Sequence, residues 1–325
     1  MSITLRRALS WKSWFYRVIL PGLRGLGPER ADAVLDRLGR LVVTCRPRFR
    51  RELAATVART RLLLGADWDE ASTCRALASN LGRQAARDIP LSGLTDAEVL
   101  GRFDVAGAEH LAAALVRGQG AIVVGCHLGA HLAALRWLDL QGAPLRLLVQ
   151  RPRHVSAELH RMFDRVGPHP QAGFTLRRAM TPAESAARLV QARAALRDGM
   201  IISLGGDILW PGPNCRPARF LELDRTFLAV WADLAALTGA PVVFAFATHR
   251  PGGRYALTLD EPRTVGFGSE DAAVATFLAR LEAEIVIHPA DALAYLTWPC
   301  FGPPAQSVAE ADPRIGRRVA VAVGA

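Results

Sequence analysis

Apolar and polar positions change their rhythm once along this chain, near Phe103. Before it, apolar residues recur at helical spacing. Pro28-Glu29-Arg30 opens a predicted helix through Leu41, with Leu35, Leu38 and Val42 on one face. Helices are also predicted over Arg48 to Leu64 and over Asp69 to Arg87, the latter after the cap-like Asp67. Thr95-Asp96-Ala97-Glu98 has the form of a capping box and starts a short helical turn. After Phe103, short apolar runs alternate with longer amphipathic stretches. Strands are predicted over 121–126, 145–150, 200–204, 242–247 and 255–259. Helices are predicted over 107–117, 130–140, 155–166, 182–197, 225–238 and 270–287. Strands separated by helices of this length imply βαβ units. The expectation is an α/β fold with a mainly parallel central sheet flanked by helices. A helical N-terminal region, 1–102, precedes a core at 103–325, the two forming one continuous domain. Pro251-Gly252-Gly253-Arg254 predicts a hairpin and an antiparallel edge to the sheet.

Composition narrows the class. Of 325 residues, 50% are hydrophobic, which suits a globular chain and excludes a disordered one. The five cysteines form no CxxC pair. That pattern predicts reduced thiols in a cytosolic compartment, with neither a zinc site nor a disulfide framework. No His, Cys or Asp cluster has metal-ligand spacing, and no metal or other cofactor is expected. No segment approaches the ~20 apolar residues that span a bilayer, and the N-terminus does not read as a signal peptide.

Charge is unevenly placed. Residues 1–61 hold fourteen Arg or Lys against four acids, which equals the whole chain's net charge of +10. Such a region suits an anionic membrane surface, an acidic carrier protein or RNA, or is simply a solvated basic face. Trp11, Trp14, Phe15 and Tyr16 lie among Arg6, Arg7, Lys12 and Arg17. They either sit in a membrane interface or pack on the domain.

Candidate chemistry gathers at predicted strand ends. Gly125-Cys126-His127-Leu128-Gly129-Ala130-His131-Leu132 follows the apolar run Ala121 to Val124. A histidine there stands at the rim of the sheet, where substrates bind, and Gly129 permits close approach to the backbone. Cys126 is expected to be buried, because neighbours on a strand point to opposite faces. Gln150-Arg151-Pro152-Arg153 and Gly205-Gly206-Asp207 follow two further strands, so His127, Arg151 and Asp207 are expected to converge. An arginine there binds phosphate or carboxylate. Asp207 orients an imidazole or pairs with the arginine. A rim salt bridge without chemistry is the plainer alternative.

Five strings occur in a familiar order: "GQGAIVVGCHLGAHLAAL", "LRLLVQRPRH", "LRDGMIISLGGDILWPG", "ARFLELDRTFLAVWADLAALTGAPVVFAFATHR" and "FLARLEAEIVIHPADALAYLTW". In this order the chain resembles the bacterial lysophospholipid-type acyltransferases of lipid A biosynthesis. The resemblance implies acyl transfer from an acyl carrier protein or acyl-CoA to a hydroxyl. It maps the catalytic histidine onto His127, a supporting arginine onto Arg151 and an aspartate onto Asp207. Substrate-binding roles fall to Arg151, Gly129 and His131. The family's dyad acid, five residues after the histidine, falls on Leu132.

The missing acid leaves three expectations. Another acid, with Asp207 foremost, orients His127. Or the acceptor is an amine or hydroxylamine, which depends less on a base. Or catalysis is lost and the chain only binds. The family's hydrophobic N-terminal anchor also has no counterpart of spanning length here. Together these point to a cytoplasmic or peripheral transferase in specialised biosynthesis. Its donor is acyl carrier protein, acyl-CoA or aminoacyl-tRNA.

Overall fold

In a computed structural model of the chain, residues 14–177, 180–210 and 214–297 are described. Arg6, Arg7, Trp11, Lys12 and Cys300 lie outside them. After a single helical turn at Leu20–Leu23, the N-terminal helices are α1 (Pro28–Thr44), α2 (Pro47–Leu63), α3 (Glu70–Ala86) and α4 (Asp96–Leu100). Asp69, and not Asp67, caps α3, its carboxylate accepting the Ser72 N–H at 2.7 Å. The Thr95–Glu98 capping box forms at the start of α4.

The main sheet has six strands in the order β1-β8-β7-β2-β4-β3. They are β1 (Phe103–Ala106), β2 (Ala121–Gly125), β3 (Leu145–Leu147), β4 (Ile201–Gly205), β7 (Val242–Arg250) and β8 (Arg254–Leu259). Only the β7–β8 pair is antiparallel. The glycine hairpin therefore forms as predicted, but β8 is not an edge. β1 pairs with it in parallel and takes the outer position.

Both faces of the sheet are covered, as parallel sheets require. Ile122 and Val124 join one core cluster with Val242 and Phe244, while Ala121 and Val123 join a second with Val243 and Ala245. Helices α8 (Pro182–Arg197), α9 (Val230–Thr238) and α10 (Glu270–Ile287) cover the first face. Helices α5 (Ala108–Val116), α6 (His131–Asp139) and α7 (Ala157–Phe163) cover the second. A last short helix, α11 (Leu293–Thr297), returns to the first cluster through Tyr295 and Leu296.

The predicted helix 225–238 begins only at Val230. Residues before it form the hairpin β5 (Cys215–Phe220) and β6 (Leu223–Leu228). In β6 exposure alternates from Leu223 to Thr226, the period of a half-buried strand. Its turn is made by Leu221 and Glu222, both at positive φ (50° and 63°), where a turn normally carries Asn or Gly.

Phe15 is buried in a third cluster with Leu35 and Ile89, whereas Trp14 is exposed. Tyr16 stacks on His154 with ring centroids 4.0 Å apart. The described aromatics of this region thus divide between packing and solvent.

Helices α1 and α3 approach so closely that each needs a glycine at the crossing. A Cβ on Gly39 would lie 2.1 Å from the Ala78 carbonyl oxygen, and one on Gly82 would lie 2.2 Å from the Leu35 carbonyl oxygen. Both obstacles are backbone. Gly82→Ala is therefore expected to destabilise the fold, because overpacking costs ~1–3 kcal/mol against a helix-propensity gain of at most ~1 kcal/mol. A denaturant midpoint equal to or above that of the wild type would contradict this packing.

Candidate functional site

Register brings the site together. β2 and β4 lie side by side with Gly125 opposite Gly205. Two residues further on, His127 and Asp207 leave adjacent strands at the same rim. The Gly206 N–H donates to the Gly125 carbonyl at 2.9 Å. A Cβ on Gly206 would meet Val124 and Phe277 side-chain carbons at 2.6 Å. This close passage turns the Asp207 carboxylate under the His127 loop.

Asp207 takes three kinds of hydrogen bond. The His127 backbone N–H donates to Oδ2 at 2.8 Å, and His127 Nδ1 lies 3.0 Å from Oδ2 and 3.1 Å from Oδ1. From α11, the Tyr295 hydroxyl donates to Oδ2 at 2.6 Å. Asp207 is 0% exposed, while the His127 side chain is 30% exposed.

The charges reinforce one another. Burial alone would raise the Asp207 carboxyl, but the His127 charge and the hydrogen bonds outweigh it and hold the pKa below the usual value. Burial likewise works against the His127 imidazolium, yet Asp207 reverses this and raises its pKa. Burial, then the Asp207 charge, pushes the Tyr295 phenol well up, so it remains a donor. Cys126 is buried, as expected, and burial pushes its thiol up. A thiol so suppressed is no nucleophile.

Gly129 stands in the left-handed region at φ 47°, and a Cβ there would lie 2.6 Å from both the Ala247 carbonyl oxygen and Asp291 Oδ1. The loop needs glycine for this seating. Its N–H donates to the Asp291 carbonyl at 3.0 Å, and the Ala130 N–H donates to the Ala247 carbonyl at 2.9 Å. The His131 ring stands 5.1 Å from that of His127. Burial, followed by the His127 charge, pushes His131 down to about 3, so it is neutral near pH 7. Leu132 packs, partly buried, on the second core cluster.

Arg151 stands apart. Its guanidinium makes a two-point ion pair with Asp164 at 2.9 and 3.0 Å and donates to the His160 carbonyl at 3.2 Å. These contacts tie it to α7, at the β3 edge of the sheet, and not to the His127–Asp207 pair. β3 ends at Leu147, earlier than the predicted 150, so Arg151 sits on a loop beyond the rim.

Two polar elements escaped the sequence reading. Tyr295 lies within the last quoted string, but nothing in the local pattern distinguishes it from a packing tyrosine. His249 and Asp291 form a second buried pair, with His249 Nδ1 2.7 Å from Asp291 Oδ1. Only the fold shows that Asp291 supports Gly129. Among the described residues, no group of three or more His, Cys, Asp or Glu side chains could hold a metal ion. No described helix is long and apolar enough to cross a membrane.

The family model for bacterial lipid A biosynthesis acyltransferases matches residues 1–293. No curated protein matches the chain.

Proposed function

The chain belongs to the bacterial lipid A biosynthesis acyltransferase family, and we propose that it transfers an acyl group using His127 as general base and Asp207 as the orienting acid. The observation that carries this reading is the Nδ1–carboxylate contact at 3.0 Å, made although the family's usual acid position holds Leu132. Asp207 holds the Nδ1–H tautomer, which leaves Nε2 as the nitrogen that takes a proton. An acceptor hydroxyl or amine attacks the donor carbonyl as Nε2 removes its proton. The tetrahedral intermediate then expels the thiolate or alkoxide, and the imidazolium returns the proton to that leaving group. Asp207 stabilises the imidazolium between these events. Tyr295 keeps Asp207 in place.

The donor is a thioester or ester, namely acyl carrier protein, acyl-CoA or aminoacyl-tRNA. The altered acid position favours specialised biosynthesis over standard lipid A assembly. Gly129 and His131 line the acceptor side of the loop. Arg151 is exposed, and an exposed ion pair contributes at most ~1 kcal/mol. A substrate anion therefore replaces Asp164 at little cost. Substituting His127 tests the reading most directly.

The basic N-terminal region docks the donor or the inner face of an anionic membrane. Arg46, Arg48, Arg50 and Arg51 are all exposed at the start of α2, and Leu62 near its end is 73% exposed. Reversing these four arginines to glutamate is expected to weaken binding to carrier protein, tRNA or anionic vesicles at least tenfold. Wild-type binding is expected to fall as salt rises. Equal binding by both forms at low ionic strength would make the region a solvated face only.

A further inference from the structure

Asp207 is held from two sides, and the β5–β6 hairpin takes part in both. The chain directly after Asp207 is stitched to β6. The Leu228 N–H donates to the Ile208 carbonyl at 2.8 Å, and the Trp210 N–H donates to the Thr226 carbonyl at 3.0 Å. Across the carboxylate stands Tyr295 of α11, whose hydroxyl donates to Oδ2 at 2.6 Å. The Tyr295 ring meets Phe220 of β5 edge to face, with centroids 5.6 Å apart. Phe220 is buried and meets Phe227 of β6 in the same way at 5.9 Å. The turn that follows is seated on α10, where the Leu221 N–H donates to the Glu282 carboxylate at 2.6 Å. Leu221 and Glu222 keep positive φ there, a state that such side chains rarely adopt and that persists where the surroundings impose it.

We infer that this hairpin belongs to the catalytic apparatus: Phe220 orients the Tyr295 ring, Tyr295 sets the charge that Asp207 presents to His127, and both are positioning residues. This rests on the acyl-transfer reading above and adds the residues that make an acid beyond β4 serve where position 132 has none. Edge-to-face packing fixes how a ring stands. A ring so held keeps its hydroxyl proton on Oδ2, and the Cys126 thiol is left to donate to the phenol oxygen. Oδ2 is also the oxygen nearest to His127 Nδ1, at 3.0 Å. Phenol and imidazole thus share one oxygen, and the phenol draws off part of the charge offered to the imidazolium. The other groups facing this centre are His131, Arg87 at the end of α3, and Glu284 of α10, which receives Arg280 at 2.6 Å. Substitutions at 220 and 295 alter no charge among them.

Two measurements on the full chain test this together: the pH dependence of turnover, and the titration of the His127 ring followed by imidazole NMR. Tyr295→Phe keeps the ring and removes the donor, so Asp207 pulls harder on the imidazolium. The acid limb and the ring titration are expected to rise by ~0.5–1 pH unit, with KM little changed. Phe220→Leu is expected to move both in the same direction and to add nothing when combined with Tyr295→Phe. Phe220→Met takes its place if that variant does not fold. Arg219→Ala, on the exposed side of the hairpin, is expected to move neither. A packing role alone would leave both titrations in place, or lower them as Asp207 loosens, and either result would overturn the inference. So would a further shift from Phe220→Leu in the Tyr295→Phe background. The two readings fail separately. If the ring titration rises and the acid limb does not follow, only the base assignment falls. If turnover depends on His127 but neither titration responds to Tyr295→Phe, only the positioning role falls.

Discussion

His127→Ala is expected to lose ~10²–10⁴-fold in turnover, the range supplied by a positioned general base. The imidazole side chain lies at the rim and is 30% exposed, and His127 belongs to none of the core clusters, so its removal leaves them untouched. Asp207 keeps the Tyr295 hydroxyl and the backbone N–H of residue 127. The far-ultraviolet circular dichroism spectrum should therefore match the wild type. Substrate affinity should change little, because the proton is taken only as the acceptor attacks. Activity within about threefold of wild type, ~0.7 kcal/mol of barrier, would remove His127 from the mechanism. If no donor–acceptor pair supports turnover by the wild type, the chain is a binding protein that keeps the family's site without its chemistry.

Asp207→Asn is the second large effect. It keeps the shape of the side chain but removes the charge that steadies the imidazolium, and an amide can present its NH₂ to Nδ1 and favour the wrong tautomer. Turnover should fall by roughly two to four orders of magnitude, the scale on which such orienting acids act, with little change in KM. The pH profile gives an independent sign. His127 must be neutral to act as base, and Asp207 raises its pKa. The acid limb of the wild-type profile should therefore lie above the ~6.5 of an ordinary histidine. In Asp207→Asn the burial effect remains without the opposing charge, so the limb should move to lower pH. A limb that stays in place would show that Asp207 does not act on the titrating base. Leu132→Glu is expected to bring no strong gain, since it puts a carboxylate where Leu132 packs on the core. A strong gain there with a silent Asp207→Asn would mean the ordinary dyad is merely damaged.

What could be read from sequence divides along physical lines. The strands β2, β4 and β7 are largely apolar and buried over most of their length, and such runs stand out. The contact of His127 with Asp207 follows from strand order: both sit two residues beyond neighbouring parallel strands. The β5–β6 hairpin was hidden because Leu221 and Glu222 make a turn that Asn or Gly usually makes. The second half of β6, 225–228, then resembles the start of α9. The apolar run predicts a β3 that reaches 150 and so sets Arg151 at the converging strand ends. The strand stops at Leu147, and the loop carries the arginine to α7. Tyr295 and Asp291 carry no local signal, since each matters through a contact made by the returning end of the fold.

That return has a consequence for the birth of the protein. The hydrogen bond from Tyr295 to Asp207 joins residues 88 apart, and Asp207 itself reaches back 80 residues to His127. A ribosome extends the chain from the N-terminus, so the sheet strands β2 and β4 emerge well before α11. Until Tyr295 has left the exit tunnel, the buried carboxylate lacks one of its donors. The newborn sheet thus precedes a finished centre. Stalled chains of increasing length, released and assayed, should remain nearly inactive until residue 295 is free to dock.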